Sequence, residues 1–175
     1  GVSGVATCLS HIPVGEVWPL EPLEEVQRTV QKQGLSMEVI ESVNIHEDIK
    51  KGLPSRDNYI ENYIQTLSHL QQVGVKCLCY NFMPVLDWAR SDLAHPLEDG
   101  STVLSYRHHR VEQQMPASMG EEMLKGSGGY TLPGWEPERL AQMAEDIQFY
   151  QSMTEEEYWS NMEYFLNAVI PYAEK

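Results

Sequence analysis

The chain has 175 residues, 42% of them apolar, enough for one core of ordinary size, since a domain near this length buries roughly 70% of its unfolded surface. Its 12 basic and 26 acidic residues give a net charge of −14 and leave no basic stripe to neutralise phosphates, which argues against nucleic acid and anionic membrane as partners. No apolar run approaches the roughly 20 residues of a membrane span, and the amino end lacks the charged-then-apolar pattern of a signal peptide, so a cytoplasmic protein is expected.

A first strand is expected near 4–9, followed by SHIPVGEVW at 10–18, where Pro13 and Gly15 end regular structure and leave Ser10, His11, Glu16 and Trp18 on a loop. A helix follows from about Pro22 to Gln33: Leu23, Val26 and Val30 share a face, Pro22 suits a first turn and Gly34 the position after the end. The second strand, near 37–43, leads into Asn44, His46, Glu47 and Asp48. Ser55 or Asp57 can cap a helix carrying Ile60, Tyr63, Ile64, Leu67 and Leu70, which Gly74 ends.

The third strand, near 75–81, lies in VKCLCYNFMPVLDW at 75–88. An apolar run breaks abruptly into Asn81, Pro84, Asp87 and Trp88, the form of a buried parallel strand whose carboxyl end opens into a functional loop. Ligands of α/β proteins sit at that end, because helices cover the other surfaces. Strand starts near 5, 37 and 75 recur on the scale of a βαβ unit, which predicts a parallel sheet joined by right-handed crossovers.

Between 97 and 134 the regularity fails around Asp99-Gly100, Pro116, Gly120, Gly126, Gly128 and Gly129, so an irregular, partly helical insertion or lid is expected after the third strand. A helix is predicted over 137–150. Another starts at Thr154, where Thr154 and Glu157 form a capping box and Trp159, Met162, Phe165, Leu166, Val169 and Ile170 supply an apolar stripe. The fold class is α/β, one domain over 1–175. A closed (β/α)8 barrel needs roughly 250 residues, so three strands and a last helix with little to cover are read as the amino-terminal part of a longer (β/α)8 TIM barrel rather than a small open sheet.

Polar groups can converge only at the strand-end loops. Glu41 and Asn81 stand out because each sits within or at the end of an apolar run, where an unpaired polar group costs a few kcal/mol; bonding to neighbouring backbone is the plain alternative. His46, Glu47 and Asp48 have metal-type composition, but consecutive side chains diverge, and Asp48 with Lys50 also suits a solvated loop. His69 is read as a surface residue of its helix. Cys8, Cys77 and Cys79 are read as reduced thiols. Cys77 and Cys79 point to one face of the third strand, as a metal pair or, preferably, as core packing. No dinucleotide, P-loop, zincin or nucleophile-elbow motif occurs.

At these same loops the sequence resembles the mannonate dehydratase family of bacterial hexuronate (glucuronate) breakdown, in HIPVGEVW at 11–18, ESVNIHEDIK at 41–50 and CYNFMPVLDWARSDL at 79–93, with EDGSTVL at 98–104 a weaker echo. The resemblance implies a (β/α)8 barrel of the xylose-isomerase-like kind and a lyase that removes water from D-mannonate to give 2-keto-3-deoxy-D-gluconate with Fe²⁺ or Mn²⁺. The family's metal ligands stand in motifs resembling HPDDPP and PDHG. Neither string occurs here, so no ligand role is carried to a cysteine of this chain, which is expected to form one wall of a site. Asn81, Glu41, His46, Trp88 and His11 are the candidates facing a sugar acid or supporting residues that do: Asn81 and His46 to bond hydroxyls, Trp88 as an apolar wall and Glu41 to orient a neighbour. A homo-oligomer is compatible with the sequence. The rivals are another metal-dependent sugar isomerase or epimerase of this barrel class and a catalytically incomplete fragment.

Overall fold

The computed structural model describes residues 1–85, 90–111 and 137–174. In chain order the elements are β1 (Gly4–Thr7), α1 (Leu20–Lys32), β2 (Ser36–Ile40), α2 (Glu47–Lys51), α3 (Arg56–Gln72), β3 (Cys77–Leu78), β4 (Asp92–Pro96), β5 (Thr102–Ser105), α4 (His108–Val111), α5 (Pro137–Ser152) and α6 (Glu155–Ala173). They fall into two compact units, Gly1–Phe82 with Met153–Lys175, and Met83–Ser152.

The first unit is a parallel sheet in the order β1-β2-β3 with α1, α2, α3 and α6 packed around it. The strands are shorter than the expected 4–9, 37–43 and 75–81. The apolar runs continue past the last paired residue, and hydrogen bonds from Glu41 N to Thr7 O and from Cys79 N to Ile40 O close the ladder at the carboxyl ends. Register jumps once: Val5 pairs with Met37 but Ala6 with Val39, so Glu38 is the extra residue of a bulge. Ala6, Val39 and Cys77 then form one row, and residues so paired share a face. Thr7, Ile40 and Leu78 form the next row, on the helix side, where Ile40 is buried. This overturns the core reading of Cys77, which lies on the face away from the helices and is exposed.

The helices begin and end where local chemistry dictates. Leu23 of α1 is buried, with Val26 and Val30 packed against the same core. At the end of α3, Gly74 has φ +76, a left-handed conformation that costs glycine little, and Val75 N then returns to Leu70 O. Thr154 and Glu157 form the expected capping box of α6, and Pro171 sits inside its last turn without ending it. Phe165 of α6 centres the packing, edge-on to Tyr63 at 5.1 Å and 5.9 Å from Phe82 between ring centroids. His69, expected on the surface, is half-buried with Nδ1 2.7 Å from Trp18 O, and Trp18 N donates to Thr66 Oγ1. The loop residue Trp18 is thereby a core residue pinned to α3.

In the second unit, β4 and β5 form an antiparallel hairpin with Asp92 opposite Ser105 and Pro96 opposite Thr102. Its turn is Asp99-Gly100, with Asp99 Oδ1 accepting from Ser101 N. Part of the stretch expected to be irregular is therefore regular. Residues 112–134 of that stretch lie outside the described residues. No helix among the described residues is long and apolar enough to cross a membrane.

Candidate active site

The carboxyl ends of β2 and β3 meet through one polar bridge. Asn81 Nδ2 donates to Ser42 Oγ at 3.1 Å, and Ser42 Oγ lies 3.5 Å from Asn44 Oδ1. Asn81 is half-buried and follows β3 by three residues, so its amide is set by the strand in front and the hydroxyl beside it. Glu41, next to Ser42, lies one residue past β2 and is exposed. The desolvation argument that singled it out therefore does not hold. Desolvation holds the Cys79 thiol above its ordinary value, and the negative charge of Glu41 adds to the effect.

His46 is placed with more constraint than its sequence suggested. It caps α2: its Nδ1 accepts from Asp48 N at 3.1 Å, and its ring stacks on Tyr59 of α3. An Nδ1 lone pair engaged this way puts the proton of the neutral ring on Nε2, which is then a donor. Burial pushes the imidazole below its ordinary value, with the carboxylates of Asp48 and Glu47 opposing. Gly15 of the first loop closes over this stack. A Cβ there would fall 2.6 Å from Tyr59 Cδ1 and 2.9 Å from His46 Cδ2, and its φ is +88. Asn62 Nδ2 holds the same residue by its carbonyl at 2.8 Å.

The residues of the metal-like run diverge. Glu47 Oε1 receives Lys50 Nζ at 2.8 Å, while Asp48 Oδ2 receives Ser55 Oγ at 2.5 Å. Lys50, expected in a solvated loop, is 1% exposed. Among the described residues no three His, Cys, Asp or Glu side chains come together as a metal site. Nor does His11 join the cluster: it is exposed on the first loop. Trp88 lies outside the described residues. Sequence reasoning missed Ser42 and Tyr59 and named Asn44 only as a loop residue; Ser42 stood in the quoted ESVNIHEDIK run, whereas nothing in the helical pattern of α3 marked Tyr59.

Parallel strands whose carboxyl ends carry a hydrogen-bonded polar rim define the α/β class that places ligands at that edge. The chain belongs to the D-mannonate dehydratase (UxuA) family, whose model matches residues 1–175. It is 53% identical over 175 residues to the mannonate dehydratase of Geobacillus thermodenitrificans, covering 100% of this chain and 47% of that protein. The mannonate dehydratase of Thermotoga maritima is 50% identical, again over 100% of this chain and 49% of that protein. The crystal structure of mannonate dehydratase from Streptococcus suis serotype 2 superposes with a TM-score of 0.80 at 39% identity, over 98% of this chain and 43% of that one. The chain thus spans about half the length of the curated relatives it matches.

Proposed function

We propose that this chain supplies the first three β/α units of a (β/α)8 mannonate dehydratase, a cytoplasmic hydro-lyase that converts D-mannonate to 2-keto-3-deoxy-D-gluconate. The observation that carries this reading is the family match over all 175 residues, on a chain whose polar bridge lies at the carboxyl ends of parallel strands.

Elimination requires that the proton beside the carboxylate be removed and that the departing 3-hydroxyl receive a proton, leaving as water. Fe²⁺ or Mn²⁺, implied by the family, would stabilise the enediolate charge. The described residues do not converge on such an ion. Asn81, with its amide nitrogen tethered to Ser42, presents its carbonyl to a sugar hydroxyl. His46 offers Nε2–H as a donor from a ring fixed by Asp48 N and Tyr59. Glu41, exposed beside Ser42, lies at the edge of the rim.

The test is a chimaera joining these 175 residues to the part of the Geobacillus thermodenitrificans relative that they do not match. Given Mn²⁺ and D-mannonate, it should form a 2-keto acid with loss of water. An epimer or ketose of unchanged composition would instead support a sugar isomerase or epimerase.

A further inference from the structure

Cys77 and Cys79 stand apart from the core cluster and from the bridge between Asn81 and Ser42. Residues two apart on a strand share a face, and the ladder of β3 carries on through Cys79, whose N–H donates to Ile40 O. Leu78, between them, packs against the core, as does Cys8, whereas neither Cys77 nor Cys79 belongs to that cluster. Both thiols therefore lie on the face away from the helices, Cys77 exposed and Cys79 half-buried, and a side-chain hydrogen bond joins them.

The backbone argues against a disulfide. Two rises of a strand set Cα atoms roughly 6.6 Å apart, at the far end of the range a disulfide spans, and parallel Cα–Cβ bonds keep the Cβ atoms farther apart than the roughly 3.8 Å it needs. A metal ion bridges a wider gap, because two metal–sulfur bonds of roughly 2.3 Å then separate the sulfurs. The donor set selects the ion. Thiolates are soft ligands that select Cu⁺ or Zn²⁺ over Mn²⁺. Structural zinc takes four ligands, and among the described residues no third His, Cys, Asp or Glu converges with the pair. Glu41 comes nearest: Val39 pairs with Cys77, so Glu41 stands beside Cys79, where its charge is felt.

We infer that Cys77 and Cys79 together hold one Cu⁺ ion as a two-coordinate dithiolate. Each thiol gives its proton to solvent as its sulfur bonds the ion, so two Cu–S bonds replace two S–H bonds and the ion's hydration, and no electron is transferred. Two thiolates and one Cu⁺ carry a net charge of −1, which the carboxylate of Glu41 opposes. The site is independent of the reaction assigned above and of the Fe²⁺ or Mn²⁺ that the family implies.

The test titrates the full 175-residue chain, without oxygen, against Cu⁺ held by a chromogenic chelator. One equivalent should pass to the protein, and X-ray absorption at the copper edge should show two sulfur neighbours. Cys77→Ser and Cys79→Ser should each weaken binding by more than about a hundredfold, since even groups that merely support a ligand are worth about tenfold to a hundredfold. Cys77 is exposed, so its serine variant should keep the melting temperature of the metal-free parent and separate lost binding from lost folding. Cys8→Ser should bind as the parent does. Glu41→Gln should bind about threefold more tightly, the order of one screened like-charge contact. Failure to compete with the chelator, full affinity in either the Cys77 or the Cys79 variant, or lost affinity in Cys8→Ser would each overturn the inference. So would weaker binding in Glu41→Gln, displacement of the copper by Zn²⁺, or a copper shell of three or four sulfurs shared between two chains.

Discussion

The imidazole of His46 lies on the ring of Tyr59 with centroids 3.6 Å apart and planes 11° from parallel, and the backbone of Gly15 covers the edge of the pair. Three segments far apart in sequence are locked there: the β1 loop, the cap of α2 and the body of α3. Gly15→Ala should destabilise the fold by roughly 2–4 kcal/mol, since it adds a clash against packed rings to a left-handed backbone. A urea midpoint unchanged from the parent would refute that packing.

Stability should depend on pH through His46. Burial holds its folded pKa below the ordinary value of 6.5, so below that value the unfolded chain binds more protons than the folded one. The contribution is fully present above 6.5 and is lost as the pH falls from there toward the depressed folded value. Protonation also removes the Nδ1 lone pair that accepts from Asp48 N. His46→Asn keeps a capping side chain and should flatten this part of the profile, as measured by urea titrations between pH 7 and 5.

Much of the fold was legible because β2 and β3 were each an apolar run bounded by a glycine-ended helix before it and polar residues after it. The capping box of α6 was written in Thr154 and Glu157 themselves. The hairpin was hidden because its strands, Asp92–Pro96 and Thr102–Ser105, are four or five residues long and β5 has no buried residue; only Asp99-Gly100 signalled the turn. Cys77 misled for a related reason. Apolar content along a short run does not say which face the helices cover, and the bulge at Glu38 shifts the alternation on β2. At the candidate site, Asn81 and His46 were visible as polar interruptions. Their partners Ser42 and Tyr59 were not, because long-range pairing leaves no periodic trace.

Lys50 is 1% exposed and its Nζ lies 2.8 Å from Glu47 Oε1. Removing one member of a buried pair costs about 3–5 kcal/mol, whereas removing both can be nearly neutral. Glu47→Leu should thus destabilise by several times as much as the Glu47→Leu, Lys50→Met double variant. Equal urea midpoints for the two would show that the pair contributes nothing specific.

Ser42 should matter to turnover without touching the reacting carbons. Its hydroxyl fixes the Asn81 amide at 3.1 Å, and a net hydrogen bond of this kind is worth about 1 kcal/mol. In the active chimaera, Ser42→Ala should lower kcat/KM by about fivefold to tenfold, and Asn81→Ala by more. The double variant should cost no more than Asn81→Ala alone, because the serine acts through that amide. Additive losses would separate the two residues and leave Asn81 positioned by its strand alone.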